Sequence, residues 1–266
     1  MLGGVRDMRC DLRGKVALVT GAAGAIGSSI ARRLSDNGAT VIVADINGEG
    51  AKEVAAGLTD AMACATDIRD VASVDGAIAA IMQRYGRLDI LINNAGVNTL
   101  AHRVTLDEFP AEEWDRITGI DLDGLYIMSR AALRPMLAAG RGGRIVNIAS
   151  VVGLAAMRLQ SPFVAAKAGI IHLTRSMAIE LGAKGILTNA VAPGSVMTAL
   201  TAKLFYGDDG KFAGRTQEFL AHVPLGRPAE PREIAEAVLF LASPAAGYVN
   251  GQVLAVDGGW TAGYMM

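Results

Sequence analysis

The chain has 266 residues with a formal net charge of −1 at pH 7, and 52% of its residues are hydrophobic. This balance gives no electrostatic reason to expect nucleic acid or a membrane surface as a partner. The two cysteines, Cys10 and Cys64, are too few for a disulfide framework or a cysteine-rich metal site. We therefore expect a cytoplasmic protein without a membrane span, long enough to bury a large core.

Short apolar runs alternate with stretches of helical periodicity along the chain. The runs predict strands at 15–20, 40–45, 61–65, 88–93, 144–149, 187–191 and 252–256. The helical stretches lie near 26–37, 49–58, 70–85, 111–117, 121–139, 163–182 and 231–242. Asp70 is typical of a helix N-cap, and Pro231 of a first helical turn. The alternation predicts a single doubly wound α/β domain over residues 1–266, with a mainly parallel seven-stranded sheet.

One segment, residues 196–224, interrupts this alternation. It carries the acidic pair Asp208 and Asp209 between two glycines, in a weakly helical context. A long irregular segment in a compact domain is usually a lid or a disordered loop. We predict that this segment is a mobile lid over a substrate site.

The first half of the chain contains a glycine-rich loop, Thr20–Gly27, between the first predicted strand and the first helix. Its glycines allow a tight turn and the close approach of a phosphate, and the helix N-terminus offers unpaired N–H groups. Asp45 ends the next strand, about 20 residues after the loop, where a ribose-binding carboxylate is expected. Together the two features predict dinucleotide binding.

The second half adds polar motifs directly after predicted strands. In chain order the motifs are Asn93-Asn94-Ala95-Gly96, Asn147-Ile148-Ala149-Ser150, Phe163-Val164-Ala165-Ala166-Lys167, Pro193-Gly194 and Asn250–Gly259. In this order and spacing they resemble the motifs of the short-chain dehydrogenase/reductase family, and the resemblance runs from Lys15 to Gly259. It implies a Rossmann-like fold and the interconversion of a secondary alcohol and a ketone with a nicotinamide cofactor.

The resemblance also implies catalytic roles. Ser150 would polarise the substrate oxygen, and Lys167 would bind the nicotinamide ribose and lower the pKa of a catalytic tyrosine. That tyrosine belongs four residues before the lysine, on the same helix face, but this chain has Phe163 there. The five tyrosines all lie outside the motif: Tyr85, Tyr126, Tyr206, Tyr248 and Tyr264. We interpret Phe163 as a substitution, engineered or natural, that impairs the proton transfer required by the reaction.

Two further positions depart from the family pattern. Asp121 stands where the family usually has an asparagine that holds a water of the proton relay. Aspartate can also accept a hydrogen bond from water, so Asp121 is either a relay residue or a solvated carboxylate at a helix start. Ala25 occupies the usual second glycine position of the loop, directly after Gly24. Because alanine adds only a methyl group, we expect the loop to tolerate it.

The resemblance assigns a set of cofactor contacts, and Asp45 favours NAD over NADP. A carboxylate that accepts both adenosine ribose hydroxyls repels a 2′-phosphate. No arginine or lysine stands at Gly24, Ile46 or Asn47, where a phosphate-binding cation is expected. Besides Asp45 and Lys167, the assigned residues are Gly21, Gly24, Ala25, Ile26, Gly27, Asp67, Ile68, Asn94, Ala95, Gly96, Pro193, Gly194, Val196 and Thr198.

Other residues give ordinary expectations. The three histidines, His102, His172 and His222, have no spacing suited to a metal ion, so we predict no metal site. Arg32 and Arg33 are typical of a solvated helix face. The apolar stripe from Ile170 to Leu181 indicates core or a subunit contact. The resemblance implies a homotetramer, or a dimer, built on the helices near 121–139 and 163–182.

The substrate is the least determined feature. The polar residues expected near the pocket, which lean toward a sugar or polyol, are Asn98, His102, Arg158, Gln160 and Tyr206. The tail from Trp260 to Tyr264 also resembles sugar and polyol members of the family. One alternative is a 3-oxoacyl thioester reductase, although the charge balance does not indicate a basic docking patch. A second alternative is a non-catalytic NAD-binding protein.

Overall fold

The computed structural model describes residues 8–98, 101–198 and 220–263, and within them seven strands form one sheet. The strands are β1 (Val16–Thr20), β2 (Thr40–Asp45), β3 (Ala61–Ala65), β4 (Ile90–Asn93), β5 (Gly143–Ile148), β6 (Ile186–Pro193) and β7 (Val253–Val256). Their order is β3-β2-β1-β4-β5-β6-β7, and every neighbouring pair is parallel. The predicted Rossmann-like, doubly wound α/β fold is confirmed.

Helices cover both faces of the sheet. The longer helices in the described part of the chain are α1 (Ala25–Ser35), α2 (Gly48–Ala56), α3 (Val71–Tyr85), α4 (Ala111–Thr118), α5 (Gly124–Ala139), α6 (Ser161–Leu181) and α7 (Pro231–Ala242). The predicted helix starts are confirmed, since the Asp70 side chain accepts a hydrogen bond from the Ala72 N–H and Pro231 begins α7. The predicted strands and helices differ from the observed ones only at their ends.

Alternate residues of the central strands enter two separate apolar layers, because successive side chains of a strand point to opposite faces. Val19 and Val43 pack in the layer that contains α1, α2 and α7. Leu18 and Ile42 pack in the layer that contains α3, α5 and the end of α6. Each fully buried side chain of this size contributes about 1.5–3 kcal/mol relative to an exposed one. Burial on both faces explains why the strands read as continuous apolar runs.

The connections from β1 place a crevice at the carboxyl edge of the sheet. β1 pairs with β2 on one side and with β4 on the other. The chain therefore winds outward in opposite directions from this point, which is where doubly wound sheets bind ligands. The glycine-rich loop after β1 and the segment after β4 both open onto this crevice.

The helix predicted to begin at Asp121 is organised differently. Gly119–Asp123 forms a π-helical turn that joins α4 to α5, and Asp121 at its centre has no exposed surface. The interpretation of Asp121 as a solvated carboxylate at a helix start is therefore wrong. Single π turns within helices are often found at functional sites, and this one directs a carboxylate into the protein.

The prediction of a solvated face also fails at Arg33, whose exposed fraction is 6%. The last turn of α1 packs against α7, and Arg33 donates from Nε to Glu236 at 2.8 Å. It also donates to the Met8 carbonyl. The pattern of a single helix carries no information about a partner 203 residues away, so this ion pair could not be predicted from it.

The apolar stripe of α6 belongs to the core, because Ile170, Ile171, Met177 and Leu181 are all buried within the chain. Of the predicted lid, residues 199–219 lie outside the described residues. In the part of the chain that the structure describes, none of the helices combines the length and apolar character needed to cross a membrane.

Candidate active site

A cleft of about 750 Å³ opens at the carboxyl ends of β1, β2 and β4, which we call the main cleft. Its lining comprises Gly21, Ala23, Gly24, Ala25, Ile26, Gly27, Asp45, Ile46, Asn47, Thr66, Asp67, Ile68, Arg69, Asn94, Ala95, Gly96, Val97, Ile120 and Thr198. This volume lies within the range of about 300–1,000 Å³ that is typical of ligand and cofactor sites. The main cleft thus coincides with the crevice that the strand order creates.

The glycine-rich loop is shaped by contacts that a side chain would block. Gly21 has a φ of +62°, and a Cβ there would lie 2.7 Å from the Cα of Ala95. A Cβ on Gly27 would lie 2.3 Å from the Gly21 carbonyl oxygen, whereas one on Gly24 meets the same oxygen at 3.4 Å. Gly27 is therefore sterically required for this turn, and Gly24 has room for a methyl group.

Asn94 fastens the end of β4 to this loop. Its side-chain amide donates to the carbonyls of Thr20 and Gly21, at 2.9 and 3.1 Å. Its backbone N–H donates to the Thr20 hydroxyl at 3.0 Å. The asparagine therefore fixes the position of the loop, in addition to lining the main cleft.

Asp45 is held rigidly at the far end of the main cleft. Its two carboxylate oxygens accept hydrogen bonds from the N–H groups of Ala23 and Asn47, both at 2.9 Å. Each oxygen keeps a lone pair for a further donor. A fixed, acceptor-only group at the end of the second strand is suited to paired ribose hydroxyls.

Arg69, a cation that no sequence motif indicated, also lines this end of the main cleft. Its guanidinium donates to the Asp67 carboxylate at 3.0 and 3.3 Å, and this bond holds the pKa of Asp67 below its ordinary value. Because Asp67 already pairs with it, Arg69 does not present an uncompensated charge to a ligand. The signal available in the sequence was its position two residues after Asp67, in the loop that follows β3.

The opposite end of the site is dominated by a buried ion pair. Lys167 Nζ lies 3.0 Å from Asp121 Oδ2, and the exposed fractions of the two side chains are 6% and 0%. Asp121 Oδ1 accepts from the Val97 N–H at 2.7 Å, and Lys167 donates to the Ile148 carbonyl at 3.2 Å. A Cβ on Gly96 would approach both partners at 3.2 Å. The pair thus adjoins the segment after β4 that lines the main cleft.

Phe163 lies one turn before Lys167 on α6, and the lysine ammonium stands 5.4 Å from the centre of its ring. This distance is within the range of a cation–π contact. The ring supplies no hydroxyl, so it can neither donate nor accept a proton. The sequence expectation that positions 163 and 167 share a helix face is confirmed.

Ser150 follows β5 in an extended conformation, with a φ of −166°. Its hydroxyl oxygen accepts from the Val152 N–H at 3.3 Å and makes a long 3.5 Å contact with the Pro193 carbonyl. Both contacts are weak, so the hydroxyl remains available to a substrate oxygen. The three positions to which the family resemblance assigns catalytic roles, 150, 163 and 167, therefore lie directly after β5 and on α6.

Two buried asparagines, Asn93 and Asn147, hold together the strands and helices that carry the reacting residues. Asn93 donates to Ser129 and to Asn147, and Asn147 donates to Thr174, each at 2.9 Å. The chain of hydrogen bonds joins β4 and β5 to α5 and α6. Because buried amides need partners, this network fixes the strands and helices that carry the site.

Most of the cofactor residues assigned from the sequence line the main cleft. Those that do are Gly21, Gly24, Ala25, Ile26, Gly27, Asp45, Asp67, Ile68, Asn94, Ala95, Gly96 and Thr198. Lys167, Pro193, Gly194 and Val196 do not line it. Of the substrate-side residues, Asn98 and Gln160 bond to one another at 2.8 Å and Tyr206 lies outside the described residues. This pairing leaves less free polar surface for a sugar than the sequence suggested.

In residues 8–98, 101–198 and 220–263, no three His, Cys, Asp or Glu side chains lie together in a group that could hold a metal ion. A nicotinamide dinucleotide, in contrast, fits the residues present. The main cleft combines a sterically defined glycine-rich loop, a helix N-terminus and a fixed carboxylate.

Comparisons with known proteins agree with this geometry. Residues 21–261 match a family model described as Enoyl-(Acyl carrier protein) reductase. The chain is 43% identical to a cis-4-hydroxycyclohexanecarboxylate dehydrogenase of Sinomonas cyclohexanicum, over 93% of this chain and 97% of that protein. It is 42% identical to a 3-oxoacyl-[acyl-carrier-protein] reductase of Vibrio harveyi, over 94% and 98%. It is 40% identical to a D-threitol dehydrogenase of Mycolicibacterium smegmatis, over 96% and 95%.

A solved structure extends the agreement to the fold. A short-chain type dehydrogenase/reductase from Mycobacterium marinum superposes with a TM-score of 0.86 at 32% identity, over 95% of this chain and 98% of that chain. The family model and the relatives cover nearly the whole chain, including both ends of the candidate site. The chain is therefore an oxidoreductase of the short-chain dehydrogenase/reductase family, whose dehydrogenases bind nicotinamide cofactors.

Proposed function

We propose that this chain interconverts a secondary alcohol and a ketone with NAD, and that Phe163 impairs its turnover. The single observation that carries the cofactor assignment is the geometry of Asp45, whose two oxygens are fixed by backbone N–H groups at the end of the main cleft. Bound there, a nicotinamide dinucleotide supplies the hydride acceptor or donor. A 2′-phosphate would meet the carboxylate, and Arg69 offers little compensation because it pairs with Asp67.

The chain's own residues bind the substrate, position the cofactor and provide the route for the proton. Ser150 donates a hydrogen bond to the substrate oxygen and orients it. Lys167 holds the ribose of the nicotinamide half. Asp121 keeps the lysine in place through the buried ion pair, and it accepts from a relay water if one enters. Position 163 is where a proton would be exchanged with the substrate oxygen, and phenylalanine leaves this step without its acid/base group.

The proposed substrate class is a sugar or polyol. The D-threitol dehydrogenase relative supports a polyol, and the cyclohexanecarboxylate relative supports a secondary alcohol more generally. The alternative substrate, a 3-oxoacyl thioester, is supported by the 3-oxoacyl-[acyl-carrier-protein] reductase of Vibrio harveyi, whose identity to this chain is similar to that of the other two relatives. The non-catalytic NAD-binding alternative rests on Phe163.

A substrate panel tests this proposal. Polyols, sugars, alicyclic hydroxy acids and a 3-oxoacyl thioester are assayed with NAD(H) and NADP(H), in the wild type and in Phe163→Tyr. We expect NAD-linked turnover of a polyol that rises in the variant. A preference for the thioester would replace the substrate class, and a Phe163→Tyr protein that binds NADH but reacts with nothing on the panel would favour the binding protein.

We also propose a homotetramer in the cytoplasm. Three large hydrophobic side chains of the predicted contact helices are exposed: Tyr126 at 52% and Leu137 at 37% on α5, and Ile179 at 84% on α6. Covering them with a second copy would remove apolar surface from water. Light scattering at micromolar concentration tests the assembly, and a monomer would contradict it. The location rests only on the low cysteine content.

A further inference from the structure

A second cavity lies at the opposite edge of the sheet, where the strands begin. We call it the basal cavity. It has a volume of about 250 Å³, and its polar lining comes from Asp11, Lys15, Asp89, Arg141 and Arg144. These residues precede or begin β1, β4 and β5, so the basal cavity is separated from the main cleft by the length of the strands.

The two carboxylates of the basal cavity are already compensated. Asp89 accepts from Arg87 at 2.6 and 2.8 Å and from the Val16 N–H at 2.9 Å. Burial alone would raise the pKa of Asp89, but these hydrogen bonds outweigh it and hold the pKa below the ordinary value. Asp11 is paired in the same way with Arg13 at 2.7 Å. Neither carboxylate is within ion-pair distance of the cavity's other cations, although the charge of Lys15 also contributes to lowering the pKa of Asp89.

Three cations of the basal cavity have no such partner. Within the described residues, Lys15, Arg141 and Arg144 form no ion pair. Arg144 Nε is fully buried without a hydrogen-bond partner, although Nη1 donates to the Gly143 carbonyl at 3.1 Å. Burial lowers the pKa of this guanidinium, yet an arginine stays protonated in proteins. Because Nε has almost no accessible surface, a ligand in the cavity would reach Arg144 through the Nη2 N–H groups, which form no hydrogen bond within the described residues.

We propose that the basal cavity binds a phosphate group, as inorganic phosphate or as the phosphate of a monoester. Three cations that line one cavity match an anion that carries a charge of about −1.5 to −2 at pH 7 better than they match a single carboxylate. The Nη2 N–H groups of Arg144 are charged donors suited to phosphate oxygens. The volume lies below the range of about 300–1,000 Å³ of ordinary ligand sites, so it excludes a dinucleotide.

The test measures binding of inorganic phosphate and of methyl phosphate by calorimetry and ³¹P NMR, at constant ionic strength. Because the main cleft also recognises phosphate, each titration is run with and without saturating NADH. We expect one saturable site that persists with NADH bound. Binding of either probe supports the proposal, and the preferred probe distinguishes a free phosphate from a monoester.

Variants locate the site. Arg144→Gln is expected to weaken binding about tenfold or more, since a hydrogen bond to a charged group is removed. Arg141→Gln changes only an exposed side chain, so it reports on the site even if the Arg144 variant folds poorly. Arg130→Gln, an exposed arginine of α5 outside the cavity, is the matched control and should bind as the wild type does. The proposal is overturned if neither probe binds, if NADH displaces the phosphate, or if both cavity variants bind it unchanged.

Discussion

The two ends of the candidate site are built on different physical principles. At the end proposed for the adenosine ribose, Asp45 is held by backbone N–H groups, so its position depends on the fold and not on another ionisable side chain. At the reacting end, Asp121 and Lys167 hold each other in a buried ion pair, and Phe163 stands where a hydroxyl is expected. Substitution of the carboxylate at the first end should therefore change cofactor affinity and leave the catalytic step unaffected. Substitutions at the second should change turnover or stability as well.

The largest expected effect is on turnover, in Phe163→Tyr. A positioned general acid/base contributes about 10² to 10⁴ in rate, or roughly 2.7–5.4 kcal/mol. We expect kcat for NAD-linked oxidation of an accepted alcohol to rise by at least about two decades, with unchanged NADH affinity. Phe109→Tyr, which also adds a hydroxyl to a phenylalanine, should leave the rate unchanged. Ordinary dehydrogenase rates in the wild type, with no gain from tyrosine, would show that another residue transfers the proton.

The second effect is on stability, in Asp121→Asn. The change keeps the shape but leaves the Lys167 charge buried without its carboxylate, and breaking a buried pair costs about 3–5 kcal/mol. Urea unfolding measures the loss. Asp123→Asn removes an exposed carboxylate from the same π turn and should lower the unfolding free energy by less than about 1 kcal/mol. Equal stability of both variants would show that the ion pair contributes little and that the two ends of the site do not differ in this respect.

The difference between the two ends of the candidate site also explains how much of the structure could be predicted from the sequence. Strands, helices and the glycine-rich loop follow from local periodicity and turn chemistry, so their order and most of the main cleft were predicted. The Lys167–Asp121 pair was not, because nothing in either residue's local pattern indicates that a π turn directs the carboxylate toward α6. The ion pair between Arg33 and Glu236 was not predicted either, because the local pattern of one helix does not indicate which other helix packs against it. The buried Nε of Arg144, which has no hydrogen-bond partner, could not be predicted either, because the burial of a single nitrogen atom depends on the packed structure.

The third effect is on cofactor choice, in Asp45→Asn. The amide keeps one acceptor for the loop N–H groups but loses the charge that favours ribose hydroxyls and repels a 2′-phosphate. A hydrogen bond to a charged group contributes about 1.5–3 kcal/mol, so NADH affinity should fall by roughly ten- to a hundredfold. NADPH affinity should stay the same or improve. Fluorescence titration measures both, and Glu49→Gln, an exposed carboxylate on α2, is the control. Tighter NADPH than NADH binding in the wild type would contradict the assignment.

The smallest expected effect is on NADH affinity, when either of two glycines in the glycine-rich loop is replaced by alanine. A Cβ on Gly27 would lie 2.3 Å from the Gly21 carbonyl oxygen and 2.8 Å from the Ala22 Cα, so Gly27→Ala forces the backbone to move. Overpacking of this kind costs about 1–3 kcal/mol, and we expect NADH affinity to fall by about fivefold or more because the displaced loop no longer fits a pyrophosphate.

Gly24→Ala is the matched control for this prediction. Its Cβ would meet the Gly21 carbonyl oxygen at 3.4 Å, which is ordinary contact, and its φ of −75° is open to alanine. NADH affinity should therefore change less than about twofold. The comparison isolates the shape of the loop from its charge, since neither substitution alters an ionisable group. If both variants bind NADH as the wild type does, the glycine-rich loop is not the pyrophosphate contact, and the adenosine end of the site depends on Asp45 alone.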